Sequence, residues 1–143
     1  MTAAGLRPAA LLSVATLLIW TTRIRNIWTD DELDTSGQVS RTALALVFTA
    51  LALATLALWW RARRTGAAPG SAPRLVRTFA AWTVVVWAVR GVQIALADHA
   101  VGFVVVHTAL ALGSIALALW ADRSVHADGA GDAPRPRDLS SSR

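Results

Sequence analysis

Arg90 is the residue of this chain that most needs a chemical explanation. It lies inside an apolar run from Thr78 to Ala97, twelve residues after Thr78 and eight before Asp98. In a helix rising 1.5 Å per residue, that places it about 12 Å from the joint at Asp98. A charge at such depth in hydrocarbon is costly, so it faces a partner, a wet cavity or a ligand. Helical side chains lean toward the helix N-terminus, here toward the membrane centre, so snorkelling brings only partial relief. His107 lies eight residues after His99, so an antiparallel hairpin turning at Asp98–His99 sets it level with Arg90. Gln93 is one turn from Arg90 on nearly the same face, and Arg23 ends another apolar block at a similar level. The expected site is therefore a polar pocket of Arg23, Arg90, Gln93 and His107, rimmed by the carboxylates of Asp30, Asp31, Glu32, Asp34 and Asp98.

Arginines gathered in this way suit an anion or a lipid headgroup, and an imidazole adds a group that exchanges a proton near neutral pH. The competing reading is structural. Asp98 or a loop carboxylate neutralises Arg90, and His107 makes a plain interhelical hydrogen bond. Other chemistries find little support. The chain has no cysteine, which removes disulfides, thiol redox chemistry, iron–sulfur clusters and Cys-based zinc sites. The run Asp30-Asp31-Glu32-Leu33-Asp34 lacks the spaced ligands and glycine of a calcium loop. His99 stands in the joint and His107 eight residues beyond it, and no second deep histidine completes a bis-histidine haem site. No phosphate loop, catalytic triad or zinc motif is present. The expectation is of no catalytic residue, no metal and no cofactor.

These residues must be held by helices that cross a membrane. Hydrophobic residues make up 55% of the 143 positions, and they separate into long blocks with charged joints instead of mixing at a helical period. Only self-satisfied helices or closed barrels cross hydrocarbon, and the blocks are too continuous for barrel strands. Four spans are expected, at about 9–28, 42–60, 78–97 and 100–120. In the first, the apolar part from Ala9 to Thr22 is too short by itself and continues through Arg23 and Arg25 to Trp28. A cleaved signal peptide matches its length but lacks the small-x-small site. Thr35-Ser36-Gly37-Gln38 has the form of a capping box and predicts a helix start near Ser36. Trp59 and Trp60 stand where an interfacial aromatic belt belongs. Residues 123–143 have the composition of a disordered tail.

All fourteen basic residues are Arg, which a GC-rich genome explains without functional meaning. The net charge of +5 does not imply nucleic acid, because the arginines sit at the ends of apolar spans. Arg7, Arg61, Arg63, Arg64, Arg74, Arg77 and the tail arginines share one side, against Arg23, Arg25 and Arg41 on the other. The positive-inside rule puts both termini in the cytoplasm. Helix association in lipid depends on close packing of small residues. Stripes of this kind are Ala9, Ser13 and Thr16 in line with Trp20 and Arg23, then Ala43, Ala50, Ala54 and Ala57, and Ala111, Ser114 and Ala118 in line with His107.

The segments TTRIRNIWTDDELDTSGQVSR, AAWTVVVWAVRG and DHAVGFVVVHTALA resemble those of uncharacterised small four-helix integral membrane proteins of high-GC Gram-positive bacteria. The likeness covers residues 9 to 122 and carries over no activity and no site residue. The expected protein is all-α, a four-helix transmembrane bundle of two antiparallel hairpins in the plasma membrane. Its expected role is that of a non-enzymatic accessory or assembly protein. Its partners would be the lipid bilayer and either further copies of itself or another membrane protein. The alternatives are a small oligomeric transporter or channel and, more remotely, a membrane redox or haem protein.

Overall fold

In the computed structural model, residues 1–29 and 34–131 are described, apart from the side chains of 129–131. Four helices follow in order: α1 (Arg7–Trp28), α2 (Thr35–Thr65), α3 (Ala72–Leu96) and α4 (Val101–Gly131). The described residues hold no strand. α2, α3 and α4 are long and apolar enough to cross a membrane. Their lengths, about 46, 37 and 46 Å, exceed a hydrocarbon core of about 30 Å. The expectation of four comparable spans is met by three. α1 has 22 residues, long enough to cross, but Arg23, Arg25 and Asn26 make its last turns polar.

Local chemistry sets the boundaries. Pro8 and Pro73 stand in the first turns of α1 and α3, where a missing N–H costs nothing. Asp34 caps α2, its Oδ1 accepting from the Gly37 N–H at 2.8 Å. The cap is thus not in the expected Thr35–Gln38 box. A carboxylate satisfies the free N–H and also favours the positive helix end. α2 stops at Gly66, whose φ of +80° and N–H bond to the Ala62 carbonyl make a left-handed cap that favours glycine. α4 runs past the expected boundary at 122, to Gly131. No proline interrupts it before Pro134, and Val125 is buried, so packing extends the helix into the segment expected to be a tail. Residues 132–143 of that tail lie outside the described residues.

The helices form a ring in which α1 packs on α2 and α4, and α3 packs on α4 and α2. The N-terminal residues, the last turns of α4 and the α2–α3 turn meet at one end. There the Ala68 N–H bonds the Met1 carbonyl at 3.0 Å, and Asp128 lies against Gly5. The tight packing is in this half of the ring. Leu6, Ala9 and Leu12 of the first segment meet Ala62 of α2, Val76 and Phe79 of α3, and Ala118, Ala121 and Val125 of α4. Buried hydroxyls bond back to their own helices: Ser13 to the Ala9 carbonyl and Thr83 to the Phe79 carbonyl, each at 2.8 Å. Among the described residues, the Thr55 hydroxyl is buried without a hydrogen-bond partner.

Two of the three expected packing stripes face inward. Ala9, Ser13, Thr16 and Trp20 are buried on α1, as are Ser114 and Ala118 on α4. The α2 stripe does not: Ala43, Ala50, Ala54 and Ala57 are all exposed. The inward face of α2 is Ala45, Phe48, Ala52, Thr55 and Ala62. In an alanine-rich helix several small-residue stripes coexist, and Phe48 selects the face by stacking on Trp20.

Candidate functional site

Each helix has one inward stripe, and followed away from the chain termini each stripe turns polar. On α1 the series Ala9, Ser13, Thr16 and Trp20 continues to Arg23 and Ile27. On α2 the series Thr55, Ala52, Phe48 and Ala45 continues to Arg41. On α3, Val76, Ala80, Thr83 and Trp87 continue to Arg90, and on α4, Ala121, Ala118, Ser114 and Ala111 continue to His107. The helical period keeps all four polar side chains on inward stripes, and the rise per residue brings them to one level. They line a cavity of about 260 Å³ together with Trp20, Asn26, Ile27, Leu44 and Phe103.

Aromatic rings support the cavity. Trp20 stacks on Phe48 with centroids 4.5 Å apart, and Phe48 lies 6.2 Å from Trp82. The Arg23 guanidinium sits 5.7 Å from the Trp20 ring centre, a cation–π contact that holds the charge without consuming its N–H donors. Arg90 Nη1 donates to Gln93 Oε1 at 3.3 Å. His107 Nδ1 lies 2.9 Å from the Phe103 carbonyl. A carbonyl only accepts, so Nδ1 donates in this contact. Phe103 stacks on the His107 ring at 3.8 Å.

Of the residues expected from sequence, Arg23, Arg90 and His107 come together in the cavity. Gln93 does not line it; it stands in an adjoining cleft, bonded to Arg90. Arg41 and Asn26 were not expected. Arg41 was legible in principle, because it continues the series 55, 52, 48 and 45, but the small-residue stripe had placed the opposite face of α2 inward. The expected acidic rim is not built from Asp34 or Asp98. Asp34 is the α2 cap, and Asp98 is exposed beyond the end of α3, outside the cavity lining. Asp30, Asp31 and Glu32 lie outside the described residues.

Among the described residues, no carboxylate comes within 4.0 Å of Arg23, Arg41 or Arg90; the described ion pair, His126 with Asp122 at 3.5 Å, is on α4 near the chain termini. Like charges around one cavity repel. An anion among them reverses the sign. Guanidinium forks recognise the oxygens of phosphate or carboxylate in pairs, and the Asn26 amide can add a neutral donor. No three metal-ligating side chains converge among the described residues. No known family, curated protein or solved structure matches the chain.

Proposed function

We propose that this chain is a multi-pass plasma-membrane protein that binds an anion in a pocket at the non-cytoplasmic end of its helix ring. The observation that carries the reading is the convergence of Arg23, Arg41 and Arg90, from three different helices, on one cavity. Arginine distribution supports the orientation, with both termini and the α2–α3 turn in the cytoplasm. α1 runs beside α2 and α4, so it crosses with them despite its polar last turns. The role is that of a binding or accessory protein rather than an enzyme. Guanidinium, amide and imidazole groups hold charge and donate hydrogen bonds, and the described lining residues include no Ser, Thr or Cys for an adjacent base to activate.

Transport by an oligomer is the second reading, favoured by the same cationic cavity. The stacked Trp20–Phe48 pair and the packed half beneath it weigh against a conduction path through a single copy.

Two measurements test the proposal. A reporter fused after residue 70 should be cytoplasmic; an external reporter reverses the topology. The purified full chain should bind inorganic phosphate or pyrophosphate in detergent, with binding lost in Arg90→Gln. A wild-type chain that binds neither, at low ionic strength, leaves the pocket a structural feature only.

A further inference from the structure

The arginine cavity is not closed on all sides. Of the four neighbouring helix pairs, α2 and α3 make the thinnest contact. A second hollow of about 440 Å³ opens between them, and it shares Arg41, Leu44 and Arg90 with the first. Its lining changes character along its length. Ser40, Arg41, Arg90 and Gln93 stand at one end, while Trp82, Val85 and Val86 stand at the other. From Gln93 to Trp82 is eleven residues of α3. That is about 16 Å, close to the depth of one leaflet's hydrocarbon, about 15 Å. Val85 and Val89, on the cleft wall, are 56% and 52% exposed, so the apolar end opens toward the bilayer side of the ring.

Building on the anion-site reading, we infer that the anion arrives attached to a hydrocarbon chain. The ligand is an anionic phosphate-headgroup lipid of the outer leaflet. It enters sideways between α2 and α3, with its phosphate among Arg23, Arg41 and Arg90 and its chain in the cleft along Trp82 and Val85. Two features select this occupant over a water-borne anion. The cationic end of the cleft matches the sign of the headgroup, and the cleft continues from that end into an apolar end that is open on the outside of the ring. A free phosphate uses the first feature and leaves the second without a role. An uncharged lipid uses the second and leaves three guanidinium groups with a net repulsion, and a zwitterionic lipid brings beside its phosphate a cation that offsets the attraction.

The experiment is retention of phosphatidylglycerol or phosphatidylcholine by the full chain purified from nanodiscs containing equal amounts of both, read by native mass spectrometry. Inorganic phosphate binding is measured alongside in detergent. Phosphatidylglycerol should be retained over phosphatidylcholine by about tenfold or more. Val85→Trp and Val89→Trp fill the cleft from exposed positions, so they should fold normally; helix content and a single elution peak check this for each. Both should reduce phosphatidylglycerol retention by about tenfold while leaving phosphate binding unchanged. Arg90→Gln should lose both ligands. Equal retention of the two lipids overturns the inference, as does full phosphatidylglycerol retention in the folded tryptophan variants. If phosphate binds and phosphatidylglycerol shows no preference, the lipid inference fails and the anion site stands. If neither binds, both fail.

Discussion

The two halves of the helix ring use one packing register for opposite purposes. Near the chain termini, the inward stripes carry Leu12, Phe79, Ala118 and Val125, all essentially without exposure. At the other end the same stripes carry Arg23, Arg41, Arg90 and His107, and the helices leave a cavity between them. The first half is held by close contact of small and aromatic side chains, since burial away from lipid contributes little by itself. The second half cannot close in that way, because three guanidinium groups need room, donors and a counter-charge. A stable end therefore holds an end whose own interactions oppose closure. This division of labour is common where a binding site is drawn from the low-stability part of a fold.

The comparison can be broken most sharply in the closed half. Phe79→Ala removes a fully buried ring and should cost about 2–4 kcal/mol, near the lower end of soluble-protein values because lipid takes up part of the transfer term. Denaturant titration in detergent measures it; a cost below about 1 kcal/mol would mean that this half is not the stabilising one. Next comes a pair of insertions. Ala118→Leu overpacks a fully buried position and should cost about 1–3 kcal/mol, while Ala54→Leu on the exposed face of α2 should stay within about 0.5 kcal/mol. Equal costs would show that the α2 face is covered by another helix, and size-exclusion chromatography with light scattering would then show whether that helix belongs to a second copy.

Arg90→Gln separates the halves from the other side. It should reduce anion affinity by about tenfold or more, which is 1.4 kcal/mol. It should leave unfolding stability unchanged or raise it, because it removes a like charge from the cavity. A large loss of stability in the same titration would assign Arg90 to holding the bundle instead. The smallest expected effect is at Thr55. Its hydroxyl is buried without a partner among the described residues, so Thr55→Val should be neutral or stabilising by about 0.5–1 kcal/mol. A clear destabilisation would reveal a hydrogen bond that strengthens the closed half.

The residues themselves decided the helical class, the hairpin turn at Asp98–His99 and the level of Arg23, Arg90 and His107. These follow from block length and from a rise per residue that hardly varies. The tertiary structure decided which face of α2 turns inward, and with it the place of Arg41. Propensity cannot choose among the stripes of an alanine-rich helix; the Trp20–Phe48 stack does, through contacts between residues far apart in the chain. Packing also decided that α4 continues beyond residue 122 and that Asp34 serves as a helix cap and not as a pocket rim. Depth along a helix is a local property that can be counted from sequence. Rotation about the helix axis is settled only when neighbouring side chains fit together.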